Sequence, residues 1–415
     1  MNKKVFLFDW ISFLLMVTLI IIGLFNIYST TYDVNSSIFN YNIPVGKQFF
    51  FLNICFFFSI IILFINSKSF EKYSSIVYLI SIILLIGLLF FGKNISGATS
   101  WYTFGGFSFQ PSEFSKLATS LAVAKILSEI QTNIKKPKSL IQLSIIILIP
   151  GALIILQPDP GTALIFSAFF FVLFREGLSY YYLLIFSIGI MLFILTLLLD
   201  IKIIISIIFI FTSLLYLIAR KLNKKTSIYP YLTSLSISII FVFSSIYLFN
   251  NIFEQRHRDR FNIILGKEVD SQGIGYNINQ SIIAIGSGGL NGKGFLQGTQ
   301  TKGDFVPEQH TDFIFSTIGE EWGFSGSLGL ILIFSILIIR ITIRAEKQKN
   351  KFSRIYSYSL ASILSVHFFV NIGMSLGLIP SIGIPLPFIS YGGSSLLTFT
   401  CMMFIYFNLD TNRLN

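Results

Sequence analysis

Between residues 253 and 311 an otherwise apolar chain turns polar. This stretch carries Glu254, Arg256, His257, Arg258, Asp259, Arg260, Lys267, Glu268, Asp270, Lys293, Lys302, Asp304, Glu308 and His310. A glycine series runs through it: Gly273, Gly275, Gly286, Gly288, Gly289, Gly292, Gly294 and Gly298. A carboxylate here can take a proton from an attacking hydroxyl. Arginines suit bidentate binding of phosphate. Glycines let backbone approach a ligand closely. A solvated connector would share this composition, but a loop of this length in a compact fold is usually functional. Residues 278–285 are apolar on one side and predict a short helix lying on a membrane surface.

Ionisable groups also stand inside apolar runs. Lys116 and Lys125 lie in the run 109–128, with Glu113 at its mouth. Glu113 and Lys116 are three apart, a spacing that lets them pair on a helix. Lys125 can snorkel to the nearest polar boundary. Asp159 sits between Pro158 and Pro160 and reads as a helix cap. Asp312, Glu320 and Glu321 open the run after the loop, where acids complement a helix dipole. The stretch IPLPFISYGGSS, 384–395, places two prolines and two glycines inside another apolar region. Non-helical backbone at membrane depth is tolerated only against protein or a water-filled cavity.

The elements that must position these groups follow from composition. Of 415 residues, 53% are hydrophobic and 12% charged, more apolar surface than one soluble core can hide. A spanning helix needs roughly 20 apolar residues. Candidate spans are 8–28, 48–66, 74–92, 109–128, 139–156, 161–174, 178–199, 201–219, 230–252, 313–339, 357–379 and 388–408. They predict an all-α polytopic membrane protein of about twelve helices. The net charge of +11 resides in short loops, where it acts as a topology signal and not as a nucleic-acid surface. With the N-terminus inside, alternate loops are basic from end to end, both termini are cytoplasmic and the loop 253–311 lies outside. Cys55 and Cys401 read as small buried hydrophobes, with no disulfide framework and no metal spacing.

Six segments, in order, resemble the SEDS family (shape, elongation, division and sporulation) of peptidoglycan polymerases. They are FSFQPSEFSKLA at 107–118, QPDPGTA at 157–163, RHRDRF at 256–261, DSQGIGYNINQSIIAIGSGGLNGKGFLQGTQ at 270–300, VPEQHTDFIFSTIGEEWGF at 306–324 and NIGMSLGLIPSIGIPLPFISYGGSS at 371–395. GKGFLQGTQ looks more like the elongation member than the division member. The resemblance implies one membrane domain over 1–415, with a catalytic periplasmic loop at 253–311. Family members typically have ten membrane helices, so the pair within 201–252 reads as an insertion that preserves topology. Asp270-Ser271 stands where the family commonly has Asp-Pro, and the acid is kept.

What the resemblance implies chemically is the joining of lipid II units. The 4-hydroxyl of one disaccharide attacks the anomeric carbon of the growing strand, and undecaprenyl pyrophosphate leaves with inversion. Such a displacement wants a carboxylate base, and either positive side chains or a divalent cation at the pyrophosphate. By resemblance Asp270 is the base. A count of acids alone leaves Glu268, Asp304 and Glu308 as alternatives. Arg256, Arg258, Arg260, Lys267 and Lys293 are candidates for the pyrophosphate, each with lipid headgroups as the competing ligand. Glu113 and Lys116 match a polar pair lining the family's central cavity. Gln280, Glu308, His310 and Ser390, within the matched segments, complete the candidate substrate contacts. The implied partner, besides lipid II and membrane lipids, is a class B penicillin-binding protein, in the bacterial cytoplasmic membrane. A flippase for lipid-linked precursors, a noncatalytic scaffold and the division-specific polymerase are the competing readings.

Overall fold

The computed structural model of the chain describes residues 8–32, 41, 43–95, 97–104, 107–129, 134–222, 226–253, 255–266 and 274–413. In chain order the helices are α1 (Trp10–Thr30), α2 (Pro44–Phe64) and α3 (Ser67–Phe91). A small antiparallel sheet follows, β1 (Lys93–Ile95), β2 (Ala98–Phe104) and β3 (Phe107–Phe109), in that order across the sheet. Then come α4 (Pro111–Ser128), α5 (Pro137–Ile155), α6 (Pro160–Ile165), α7 (Ala168–Arg175), α8 (Tyr180–Leu198), α9 (Ile201–Leu222), α10 (Tyr229–Tyr247) and α11 (Gln255–Ile264). The last helices are α12 (Ile274–Ser287), α13 (Thr299–Lys302), α14 (Ile314–Glu346), α15 (Lys351–Ser375) and α16 (Gly393–Thr411). Two compact units result: Met1–Leu178 with Asn277–Asn415, and Ser179–Tyr276.

Local chemistry sets where these helices begin. Pro44, Pro111, Pro137 and Pro160 occupy first turns, where the missing N–H costs nothing. Asp9, Asn66, Asp159 and Asn350 cap α1, α3, α6 and α15 by accepting a backbone N–H two or three residues on. Asp159 thus does the capping expected of it.

Among the described residues nine helices are long and apolar enough to cross a membrane. The helices α4 and α16 are more polar and are buried within the first unit. The short span 161–174 is broken into α6 and α7 around Phe166 and Ser167. Each expected span falls on a helical segment, nine of them long and apolar enough to cross a membrane against the twelve expected. The pattern of burial is that of a protein solvated by lipid. Large apolar side chains such as Phe56, Phe90, Ile185 and Phe243 face outward, while Asp9, Glu113, Lys116, Glu320 and Asp410 are buried. In the second unit Ile204, Ile208 and Val242 form a narrow core between α9 and α10, with Leu192 of α8 against it. Most of the remaining apolar surface of α9 is exposed.

Two features of the first unit bear on function. Asp9, fully buried, receives Arg340 Nη2 at 2.7 Å, Arg344 Nε at 3.3 Å and the Tyr406 hydroxyl at 3.0 Å. Arg344 also binds Asp410, which joins α1, α14 and α16 at one end. The second is a break in α14. Gly323 adopts φ 65°, ψ −161°, so the helix stops and restarts there. A Cβ at Gly323 would collide with the backbone of Asn291 and Gly292, and the positive φ excludes other residues independently.

Candidate active site

The charged pair of α4 forms as its spacing predicts. Lys116 Nζ lies 2.6 Å from Glu113 Oε1, and both side chains are buried. A second partner comes from α15: His367 Nε2 is 3.0 Å from the same ammonium. An ammonium only donates, so Nε2 accepts, and the ring proton must sit on Nδ1. Nδ1 then donates to the Pro385 carbonyl at 3.0 Å. The Phe399 ring, 5.1 Å away, lies under the ammonium. Glu113 Oε2 is buried and makes no hydrogen bond among the described residues. Lys125, by contrast, reaches Ser75 Oγ at 3.0 Å.

Segment 384–391 is non-helical and mostly buried, and hydrogen bonds hold it from two sides. Asn371 Nδ2 donates to the carbonyls of Ile384 and Asp312, at 2.7 and 2.8 Å. Ser390 Oγ donates to the Thr311 carbonyl at 2.6 Å and accepts the Leu386 N–H at 2.8 Å. Tyr391 N–H donates to the His310 carbonyl at 2.8 Å. Ser390 and His310, singled out separately in the sequence, are therefore joined through backbone. Burial holds the His310 imidazole below its ordinary pKa, against the opposing pull of Glu308 and Asp304. Glu308 is exposed and accepts the Thr311 hydroxyl at 2.7 Å. Gln280 lies half-buried on α12.

The downstream half of the polar loop is tied to the break in α14. Lys293 N–H and Gly294 N–H donate to the carbonyls of Glu320 and Glu321, while Phe324 N–H and Ser325 N–H donate back to Gly289 and Leu290, all at 2.9–3.0 Å. The Glu320 carboxylate accepts Gln300 N–H, Thr301 N–H and Lys293 Nζ, each at 2.8 Å, and the Thr301 hydroxyl at 2.7 Å. It therefore binds the loop and does not serve the dipole of its own helix. Lys293 also donates to Thr299 Oγ1 at 2.7 Å, which gives this candidate a structural set of partners. Glu321 binds Ser29 of α1. On the other side of Gly288, α12 is fixed to α15 by Ser281 Oγ, which donates to the Ser375 carbonyl at 2.8 Å. The short helix expected over 278–285 is thus a longer one, with Ile278, Ser281 and Ala284 buried.

In the second unit, Arg258 of α11 donates to the Asn250 carbonyl and to Gln255 Oε1, at 2.9 and 2.7 Å. It lines a cavity of about 340 Å³ with Thr196, Phe249, Asn250 and Asn262. Arg260 is half-buried on the same helix. The Arg256 side chain, Lys267 and Asp270 lie outside the described residues, and α12 starts four positions after Asp270. His367 was not picked out from the sequence. Its signal was there, an ionisable side chain within the apolar run SVHFFVN.

The family model described as "Cell cycle protein", covering FtsW, RodA and SpoVE, matches residues 9–207 and 190–415. Peptidoglycan glycosyltransferase MrdB of Escherichia coli (strain K12) is 33% identical over 350 residues, spanning 84% of this chain and 80% of that protein. Peptidoglycan glycosyltransferase RodA of Treponema pallidum (strain Nichols) is 31% identical over 420 residues, with 94% of each chain covered. Among solved structures, a chain from a peptidoglycan synthase complex that coordinates polymerization and crosslinking superposes with a TM-score of 0.71 at 24% identity, covering 98% of both chains. The rod shape determining protein RodA of Thermus thermophilus gives a TM-score of 0.64 at 23% identity, again over 98% of both. At these identities the structural likeness speaks to fold.

Proposed function

The chain belongs to the FtsW, RodA and SpoVE family, and from that premise we propose that it polymerises lipid II into glycan strands during cell elongation. It is a multi-pass membrane protein and, as its curated relatives are, a peptidoglycan glycosyltransferase. In the proposed reaction Asp270 takes the proton from the attacking 4-hydroxyl of one lipid II. The anomeric bond of the other chain inverts, and undecaprenyl pyrophosphate departs. Arg256, Arg258, Arg260 and Lys267, close to Asp270 in sequence, would meet the departing charge. Glu113 would hold a substrate donor through its second oxygen.

The observation that carries this reading is a continuous hydrogen-bonded connection within the first unit. It starts at the end of the polar loop, His310 to Asp312, and passes to segment 384–391 through Tyr391, Ser390 and Asn371. From Pro385 it continues through His367 and Lys116 to Glu113. The downstream end of the polar loop and the buried pair are therefore joined within the first unit. An apolar cavity of about 290 Å³ lined by Phe50, Phe51, Ile54 and Leu397 gives hydrocarbon a place beside Ser108 and Ser394. Lipid II is presented on the outer face of the cytoplasmic membrane, so the loop 253–311 would be periplasmic and the termini cytoplasmic. The basic loops support that orientation. A class B penicillin-binding protein is the proposed partner, by analogy with the synthase complex of similar fold.

The test is strand synthesis from lipid II by the purified protein, with and without its transpeptidase. Asp270→Asn should abolish polymer while leaving expression and membrane insertion intact. Appreciable polymer from that variant would remove Asp270 from the mechanism. Translocation of lipid II without polymer by the wild type would favour the flippase.

A further inference from the structure

We propose that His367 is a positioning residue of the polymerase, holding the Lys116 ammonium so that Glu113 keeps one oxygen open for substrate. This rests on the reading above that the α4 pair belongs to the site.

Lys116 has three N–H donors and is fully buried. One goes to Glu113 Oε1 and one to His367 Nε2, while the Phe399 ring faces the ammonium. His367 is itself fixed. Its Nδ1 is committed to the Pro385 carbonyl, and its ring stands edge-on to Phe399, with centroids 4.9 Å apart. The imidazole therefore has one tautomer and one orientation, and it presents its lone pair to Lys116. Without that acceptor the ammonium would be drawn wholly to the carboxylate, where both Glu113 oxygens could share it. With it, the ammonium is held on Oε1, and Oε2 stays without a hydrogen bond among the described residues.

Position along α15 supports the assignment. His367, Asn371 and Ser375 are four apart, so they share one face. Asn371 takes the Ile384 carbonyl, and Ser375 receives Ser281 of α12. This face fixes segment 384–385 and α12 together. His367 alone among the three reaches the charged pair, and through it a shift of Pro385 would be felt at Lys116.

The experiment compares lipid II polymerisation by wild type, His367→Leu, His367→Gln, Lys116→Met and the Lys116→Met/His367→Leu double variant. Leu fills the space but neither accepts nor donates. A Gln amide can accept from Lys116 with Oε1 and donate to Pro385 with Nε2. We expect His367→Leu to lower kcat about tenfold with KM within about threefold, from the loss of one hydrogen bond to a charged group. His367→Gln should stay within about threefold of wild type in both. In the Lys116→Met background His367→Leu should cause no further loss, because its target is gone. Should His367→Leu not accumulate in membranes, His367→Asn, whose amide is too short to span both partners, replaces it. Wild-type turnover by His367→Leu, failure of Gln to rescue, or losses that multiply in the double variant would each overturn the proposal. Wild-type turnover by Lys116→Met would instead overturn the assignment of the α4 pair, and this proposal with it.

Discussion

Glu320→Ala tests how the polar loop is held. In the folded chain one buried carboxylate receives Gln300 N–H, Thr301 N–H, the Thr301 hydroxyl and the Lys293 ammonium. Removing it strands two amides and leaves the Lys293 ammonium with Thr299 Oγ1 in place of a carboxylate. Breaking a buried charged pair by deleting one partner costs ~3–5 kcal/mol. Lys293 is about a quarter exposed and can turn to water, so the lower end applies. At about 1.4 kcal/mol per factor of ten, a loss of ~3 kcal/mol raises local opening roughly a hundredfold. The assay is amide hydrogen exchange by mass spectrometry on the protein in lipid nanodiscs. Peptides covering 298–303 should exchange roughly a hundredfold faster, while those in α15 keep wild-type protection. If exchange over 298–303 stays within about threefold of wild type, Glu320 does not hold the loop.

Gly323→Ala should be more damaging than an ordinary helix substitution, because a Cβ there meets Gly292 and the positive φ penalises it separately. The measurement is the yield and thermal stability of folded protein in detergent, with Gly329→Ala, where a Cβ meets nothing, as the mild comparison. His310 should make stability depend on pH. Its folded pKa lies below the ordinary value of about 6.5, so the unfolded chain binds the proton first. The contribution is full above that value and is lost as pH falls below it towards the folded pKa. Melting temperatures from pH 7.5 to 5.5 should therefore decline less steeply in His310→Asn than in wild type.

Nine of the spans were legible because length and hydropathy fix a membrane helix locally. The Glu113–Lys116 pair was legible for the same reason, since two charges three apart in an apolar run need each other. What failed to show was whatever depended on distant chain. His367 meets partners 18 and 251 positions away, and nothing next to it in SVHFFVN announces either. Glu320 follows the loop closely enough to resemble a dipole-complementing acid, and only its bonds to Gln300 and Thr301 reveal that its carboxylate faces the loop. The strands at 93–109 went unread because short segments rich in glycine, serine and aromatic residues look like loop until they pair. Asp270 was chosen by resemblance, and since it lies outside the described residues its role rests on that resemblance.

The ionic junction around Asp9 also constrains the order of events during synthesis. Asp9 leads the first helix, whereas Arg340, Arg344 and Tyr406 are made more than 330 residues later. At a translation rate of about 5–20 residues per second, α1 waits some tens of seconds for its counterions. During that interval its carboxylate must stay at the membrane surface or be protonated, because an unpaired charge is expensive in hydrocarbon. A chain that ends before Arg340 lacks both guanidinium partners of Asp9, so the ionic junction closes only once α14 and α16 are in place.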